Sequence, residues 1–470
     1  MRSIAKIFES AEFVIAPDTL LTRDGPINDS VMHVINGKIS FVGNLDKFCA
    51  SNPDLVIHRL KNCAVIPGFI DAHTHLGQAF GKAITGGEPA QIWRRIWVPM
   101  EAGFDEHAVY VSSKWMFLEA LRGGFTGIVN FSTMDTNKTS AIHRAANDVG
   151  IRLVSSTGSA LLIEDSGSID PGQVNKAIDV GLSRAEAHIK ACSMERLISP
   201  SICVPAIQSG PADLIQKLSE FCESNGILFQ IHTNEHHVEV HWCVTEYGMR
   251  PLEFFAKYGA VGSHTLHHHC TLVTDYEVEL LRETGSGVTY NPLASAWKGD
   301  KVAPALAFHS RGVRFGIGTD STRSDAFRLL EVAETAQRFS QGMQSADFSC
   351  GAAWTWLNAA SRGSAGVSGL GDTTGELSPG LQADFLILDM SRPEVLPSWD
   401  FEWELVRLYN RDQITGVVVD GRLVMEFGQP IGWSADEFIE TEEHHARRAV
   451  EVAPIIRRHG PAFAIKNRKL

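Results

Sequence analysis

Along residues 1–67 the apolar positions fall in short runs separated by polar turns, the pattern of strands rather than helices. "SVMHVINGKISFVG" sets two such runs around Asn36-Gly37, a pair that favours a tight hairpin because both residues tolerate positive φ. Residues 378–431 repeat the pattern. "ADFLILDM" and "ITGVVVDGRLVMEFGQP" alternate, with Asp420-Gly421 at a second hairpin turn. These ends are either unrelated β segments or two parts of one small β domain that brings the chain ends together.

The residues between them behave differently. "TGIVNF" precedes the amphipathic "TSAIHRAANDVG", and "GILFQIH" precedes "VEVHWCVTEYG". "VGSHTLHHHC" precedes "DYEVELLRETG", and "VRFGIGTD" precedes "DAFRLLEVAETAQRF". Strand–helix repetition of this kind predicts an α/β class with a parallel sheet. A (β/α)8 barrel takes about 250 residues and carries its active site where its strands end. The polar residues that close the apolar runs are therefore the ones to read for chemistry. The last stretch, "ETEEHHARRAVEVAPIIRRHGPAFAIKNRKL", predicts a charged helix and tail, solvated or covering a dimer face. The expected division is 1–67 (β), 68–377 (barrel), 378–431 (β again) and 432–470 (helix and tail).

Composition narrows the partners. The chain has 470 residues, 44% hydrophobic and 21% charged, ordinary for a soluble globular protein of one large barrel or two domains. A net charge of -13 gives no pull toward phosphate backbones or anionic lipid, so nucleic acid and membrane surfaces are not expected partners. Eight cysteines without a CxxC read as reduced thiols. The N-terminal stretch lacks a continuous apolar core, and no run approaches the ~20 apolar residues of a membrane span. The expectation is a soluble cytoplasmic protein.

Four apolar runs end in metal-type donors. "VIPGFIDAHTHL" ends in His73 and His75, which as i and i+2 of a strand point the same way. "GILFQI" ends in His232, with Glu235 three residues on; "VGSHTLHH" ends in His269 and Cys270; "VRFGIGT" ends in Asp320. Imidazole nitrogen and carboxylate oxygen are the usual ligands of catalytic zinc or ferrous sites. Any one of these donors reads equally as a packed core histidine or a helix-capping aspartate. Four strand ends together predict a metal site.

These motifs, with "IHTNEH", "HHCTLVTDYEVELLRETG", "GIGTDSTRSDAF", "YGMRPLEFF" and "GELSPGLQADFLILD", resemble the amidohydrolase superfamily. Within it the chain looks like the aminohydrolase and chlorohydrolase branch that includes S-adenosylhomocysteine deaminase, guanine deaminase and the triazine hydrolases. The resemblance implies a distorted (β/α)8 TIM barrel with a small β-sandwich made from both chain ends, commonly a homodimer or larger. It implies metal ligands His73, His75, His232 and Asp320, a proton-shuttling Glu235, and a His269 that faces the attacked atom. No lysine stands on the fourth-strand candidate "RLISPSICVPAIQSG"; Lys190 and Lys217 lie outside it, so one divalent ion is expected. Zinc is the first choice, with Fe2+, Mn2+ and Co2+ also compatible. Such an ion lowers the pKa of bound water from about 15.7 to about 7. The implied reaction is attack of metal hydroxide on an electron-poor ring carbon, with Asp320 and Glu235 taking the proton, as in a deaminase.

The substrate positions depart from the branch. Cys203 or Val204 stands where a fourth-strand histidine is usual, Leu272 follows the sixth-strand "HC", Ser295 replaces an asparagine, and "STRSD" replaces "GAASN". These changes favour a second reading. In it the same hydroxide displaces chloride or alkylamine from a triazine, or hydrolyses an amide, urea or carbamate. A catalytically dead scaffold would have lost the ligands that this chain keeps. Trp93, Trp97 and Trp297, with Trp242 at another strand end, offer faces for a flat heteroaromatic or aryl substrate. Trp93 and Trp97 fit a packed helix face as well. Arg323 and Asp325 either contact substrate or cap the helix near Ala326. In the run His267-His268-His269, alternation from a functional His269 turns His268 away. His236 and His237 read either as partners that orient the site residues or as surface, with the partner role favoured for His236.

Overall fold

A computed structural model describes residues 3–88, 92–160 and 170–458. Its centre is a ring of eight parallel strands in chain order: β1 (Phe69–Thr74), β2 (Phe125–Asn130), β3 (Arg152–Gly158), β4 (Ile198–Val204), β5 (Leu228–Thr233), β6 (Thr265–His269), β7 (Gly287–Tyr290) and β8 (Arg314–Ile317). Helices buried against the strands account for their near-continuous apolar runs. Those used below are α1 (Glu106–Arg122), α2 (Thr136–Val149), α3 (Pro171–Cys192), α4 (His237–Tyr247), α5 (Pro292–Lys298) and α6 (Ala435–Val452). Asp105, Asp135 and Asp170 cap the first three by accepting from first-turn N–H groups.

The ring closes past the end of β8 rather than along it. Thr74 bridges Asp320 in parallel. The Asp320 N–H donates to His73 O at 2.8 Å, and Thr74 Oγ1 donates to Asp320 O at 2.8 Å. Gly318 permits the approach, since a Cβ there would lie 2.9 Å from His73 N and 2.6 Å from Asn291 Oδ1. The barrel is thus distorted at the seam where His73, His75 and Asp320 meet.

Both chain ends enter one mixed sheet. Ile57–Pro67 pairs in parallel with Glu12–Thr22 on one side and antiparallel with Phe385–Asp389 on the other. The sheet folds back on itself: Ile39 N–H donates to Leu381 O and Ala383 N–H to Gly37 O. That fold-back encloses a core holding Met32, Val34, Val65, Phe385 and Val418. The two expected hairpin turns are present, with Asn36 and Asp420 at φ 50° and 52° and glycine after each. They also touch. A Cβ on Gly421 would lie 2.7 Å from Gly37 Cα, so the glycines serve close backbone approach as well as turn geometry.

The C-terminal α6 lies on α1. Phe438 meets Trp115 at 6.0 Å between ring centroids, and Glu442 pairs with His107 at 3.0 Å. Residues 453–458 continue to the segment before the cavity, where Ile456 N–H donates to Arg95 O and Arg458 N–H to Glu88 Oε2. The rest of the expected tail, 459–470, lies outside the described residues. Among the described residues no helix is long and apolar enough to cross a membrane.

Candidate metal centre and active-site cavity

Period-two alternation puts Asp71, His73 and His75 on one face of β1 and its extension. Asp71 accepts from His73 N–H at 3.2 Å, from Thr319 N–H at 2.9 Å and from the Thr319 hydroxyl, which locks β1 to the end of β8. Burial pushes Asp71 up to about 7. Left-handed backbone then re-aims the residues where β5, β6 and β8 end: Asn234 (φ 51°), His269 (φ 74°), Cys270 (φ 50°) and Asp320 (φ 56°). Non-glycine residues adopt this region at a cost, and such positions gather at functional sites.

The expected donors converge. Asp320 Oδ1 lies 3.5 Å from His75 Nε2 and 4.0 Å from His73 Nε2. Asp320 Oδ2 lies 3.8 Å from His269 Nε2, which is 3.5 Å from Glu235 Oε1. The sets His73/His75/Asp320, His73/His232/His269 and Glu235/His269/Asp320 each bring ligand atoms within 4.8 Å of one another. Backbone carbonyls orient two rings: His75 Nδ1 donates to Phe131 O at 3.2 Å and His232 Nδ1 to Pro205 O at 2.7 Å. Their Nε2 lone pairs are left for the centre. His269 differs. Its Nδ1 accepts from Asn291 Nδ2 at 3.2 Å, so its proton sits on Nε2 and faces Glu235.

This donor set suits a divalent ion. His73 is fully buried and neither ring nitrogen has a hydrogen-bond partner, an arrangement that costs free energy unless a cation takes the lone pair. Burial holds His73 and His232 below the ordinary imidazole value, His75 at about 4 and His269 at about 3, so all four rings are neutral, and His73, His75 and His232 each keep a lone pair for a metal.

One charge in this centre is absent from the expectations above. Lys298, the last residue of α5, places its Nζ 2.5 Å from Glu235 Oε1 and 2.6 Å from Asp320 Oδ2. Burial alone would raise both carboxyls. Lys298 and His269, with His236 beside Glu235, instead hold them below the ordinary range. His236 spans Glu235 Oε1 (3.3 Å) and Asp300 Oδ2 (3.0 Å). Burial opposes its charge, but Glu235 and Asp300 keep it up at about 9. His237 is exposed at the start of α4.

A cavity of about 170 Å³ opens beside the centre, walled by Trp93, Trp97, Phe131, His232, Glu235 and Lys298. Trp93 and Trp97 begin and end one π-helical turn and both line the cavity. Trp97 Nε1 is buried without a hydrogen-bond partner. Glu101, half-buried, and Glu239, buried, also reach the wall, each with one buried unpartnered oxygen and each pushed up to about 7 by burial. Glu239 follows Glu235 by one helical turn and accepts its N–H at 2.8 Å.

Other expected contacts stand apart. Cys203 is buried behind the wall and its Sγ donates to Ser132 O; Pro205 and Ala206 face the cavity instead. Ser295 is buried inside α5, away from the cavity lining. Arg323 pairs with Asp325 at 2.9 Å outside the cavity, and Asp325 caps the following helix by accepting from Arg328 N–H. Trp297 is about half exposed at the rim. The expectation that His268 turns away is corrected. It points into the barrel, bonded to Gln230 Oε1 and Thr289 Oγ1 at 3.0 Å each, and stacks on His73 at 3.8 Å between ring centroids. His267 is the ring that faces out, against Phe255. The left-handed φ of His269 breaks the alternation, so both His268 and His269 serve the interior.

The profile of the amidohydrolase family matches residues 64–424. The chain belongs to the amidohydrolase family. The amidohydrolase is 26% identical over 442 residues to a 5-methylthioadenosine/S-adenosylhomocysteine deaminase of Syntrophobacter fumaroxidans, covering 93% of this chain and 98% of that one. Its fold is that of a zinc-bound adenosine deaminase from Xanthomonas campestris (TM-score 0.83, 22% identity, 93% and 98% of the two chains). It is equally that of a zinc-complexed atrazine chlorohydrolase from Arthrobacter aurescens (TM-score 0.80, 19% identity, 93% and 99%). The amidohydrolase is therefore a hydrolase acting on C–N bonds.

Proposed function

We propose that this amidohydrolase removes an amino group from a nitrogen heterocycle, using one zinc ion held by His73, His75, His232 and Asp320. The two-sided Asp320 carries the proposal: Oδ1 faces the paired histidines while Oδ2 faces His269 and the Glu235 side. A divalent ion there supplies Lewis-acid polarisation and acidifies water. Glu235, kept ionised, accepts a proton and returns it to a ring or leaving nitrogen, a role worth about 100- to 10,000-fold. His269 Nε2–H faces the same space and can donate to charge developing on the ring. Trp93 and Trp97 give the ring a wall to lie on.

Lys298 supports a second reading. A cation beside the reacting centre suits a leaving group that departs with negative charge, or a carbonyl oxygen, better than it suits a neutral amine. Displacement of chloride from a triazine, or hydrolysis of an amide, urea or carbamate, would use it. A cytoplasmic setting is supported by eight free thiols, all but Cys49 buried. A homo-oligomer is supported by exposed Phe339, Met343 and Phe348 within twelve residues of each other, since patches of that kind mark contacts.

The test incubates zinc-loaded protein, with Glu235→Gln as control, with pooled aminopurines, pterins, triazines, arylureas and carbamates, and follows products by mass spectrometry. Exchange of amine for hydroxyl supports the deaminase. Loss of chloride, alkylamine or an acyl fragment moves the protein to the second reading. No turnover by metal-loaded protein of any amine-bearing ring would count against the first.

A further inference from the structure

Beside β3, away from the cavity, a second set of metal-type donors meets. His143 lies on α2, and His188 and Cys192 lie on the last turn of α3; all three are buried. His188 and Cys192 are i and i+4, so their side chains share one helix face. The three donor atoms lie within 4.8 Å of one another. Cys192 Sγ is 4.0 Å from His143 Nε2 and 3.9 and 3.7 Å from the two nitrogens of His188. Around zinc, bond lengths of about 2.3 Å to sulfur and about 2.05 Å to nitrogen put S···N edges near ~3.6 Å in a tetrahedron. Small side-chain rotations close this set on one ion.

The surroundings orient the rings. Ser155 O accepts from His188 Nε2 at 2.9 Å and from Ser201 Oγ at 2.8 Å. A carbonyl only accepts, so the His188 proton is on Nε2 and the Nδ1 lone pair is left for a cation. A backbone carbonyl behind an imidazole is the usual support of a histidine ligand. Ser155 Oγ bonds His143 Nε2 at 2.9 Å, so one serine positions both rings, and its hydroxyl gives up that nitrogen when a cation binds. Without a cation the thiol gains little: its contacts sit at the far limit for a sulfur hydrogen bond, while three polar groups are desolvated. Both imidazoles line a cavity of about 250 Å³, with Asn147 and Glu195 also in its wall. That cavity provides an entry path and a fourth position for water or Glu195. Cys192 closes the site from behind.

We propose that His143, His188 and Cys192 form a second metal site, separate from the catalytic centre, for a thiophilic divalent cation such as zinc. On binding, the Cys192 thiol proton passes to solvent. Nothing in it depends on the proposed reaction.

Cobalt(II) added to chelator-treated full-length protein tests it. A thiolate-to-cobalt charge-transfer band in the near ultraviolet reports only a site with a cysteine ligand, and the catalytic donor set contains none. A band is expected in the wild-type protein and in His232→Ala, where it saturates with one cobalt per chain, and it is lost in Cys192→Ser. Cobalt uptake without the band would overturn the site. So would a band that persists in Cys192→Ser and vanishes in Cys49→Ser. Should Cys192→Ser fail to fold, His143→Gln decides: a weakened or shifted band supports the site, an unchanged spectrum refutes it.

Discussion

At the foot of the barrel Arg152, the first residue of β3, donates to both oxygens of Asp384 at 2.7 and 3.0 Å, and Asp420 N–H adds a third bond at 2.6 Å. At the mouth Lys298 reaches Glu235 and Asp320 at similar distances. Both clusters are buried and both pair a cation with carboxylates. The foot leaves Arg152 and Asp384 fully paired, and it joins the barrel to the sheet made from the chain ends. The mouth leaves His73 with two orphaned nitrogens and His269 with one, among strand ends where His269, Cys270 and Asp320 have left-handed backbone. A satisfied buried network fixes a structure. An unsatisfied one, held in place at a cost, marks where something else must bind.

The largest expected effect separates the two ends by chemistry. Glu235→Gln keeps the side chain's size and is expected to lower kcat/KM by about 100- to 10,000-fold with an unchanged melting temperature. Steady-state kinetics beside a thermal melt checks it. Near-full activity would remove Glu235 from proton transfer and weaken the contrast between mouth and foot.

Arg152→Leu is the converse. It leaves the Asp384 carboxylate buried without its cation, a change that costs about 3–5 kcal/mol. Urea unfolding is expected to show that loss while kcat per folded molecule stays the same. A drop in kcat with intact stability would mean that the foot communicates with the site.

Acid tests the buried histidines and carboxyls next. Burial holds His75 and His143 at about 4, against an ordinary 6.5. Between those values the unfolded chain binds protons that the folded chain refuses, so stability falls as pH drops from 6.5 to about 4. Asp71, Glu101 and Glu239, pushed up to about 7 by burial, act oppositely: they favour the folded state in acid and lose that contribution as pH rises toward 7. The lowered histidines, which also include His73, His188, His232 and His268, outnumber them. The melting temperature of chelator-treated protein is expected to fall by several degrees across that window. A rise on acidification would show that the carboxyls dominate.

Much of this contrast was legible in the sequence. Strand–helix alternation and the two hairpin turns are local signals, and they carried the barrel and the sheet from the chain ends. Period two brought His73 and His75 together, and the same rule extends to Asp71. It failed at His268, because a left-handed residue at His269 cannot be read from composition or spacing. Cys203, Ser295 and Arg323 show the related limit: a position at a strand end does not say which way the side chain turns. Lys298 was invisible for another reason. It is separated by 63 residues from Glu235 and 22 from Asp320, and only a long side chain leaving the end of a short helix joins them.

Lys298→Met is the smallest expected change and the sharpest test of the mouth. At 4 Å and an effective dielectric near 20, unit charges interact by about 4 kcal/mol, so an ammonium on Asp320 Oδ2 opposes a dication on the same carboxylate. Methionine keeps the stem and removes the charge. Metal affinity, measured by competition with a chelator, is expected to rise about tenfold, which corresponds to about 1.4 kcal/mol. Turnover is expected to fall by a similar factor, since Glu235 and Asp320 lose the cation that keeps both ionised. Weaker metal binding in Lys298→Met would reverse the assignment: Lys298 would then hold Asp320 in place as Asp420 N–H helps to hold Asp384, and the mouth would share the logic of the foot.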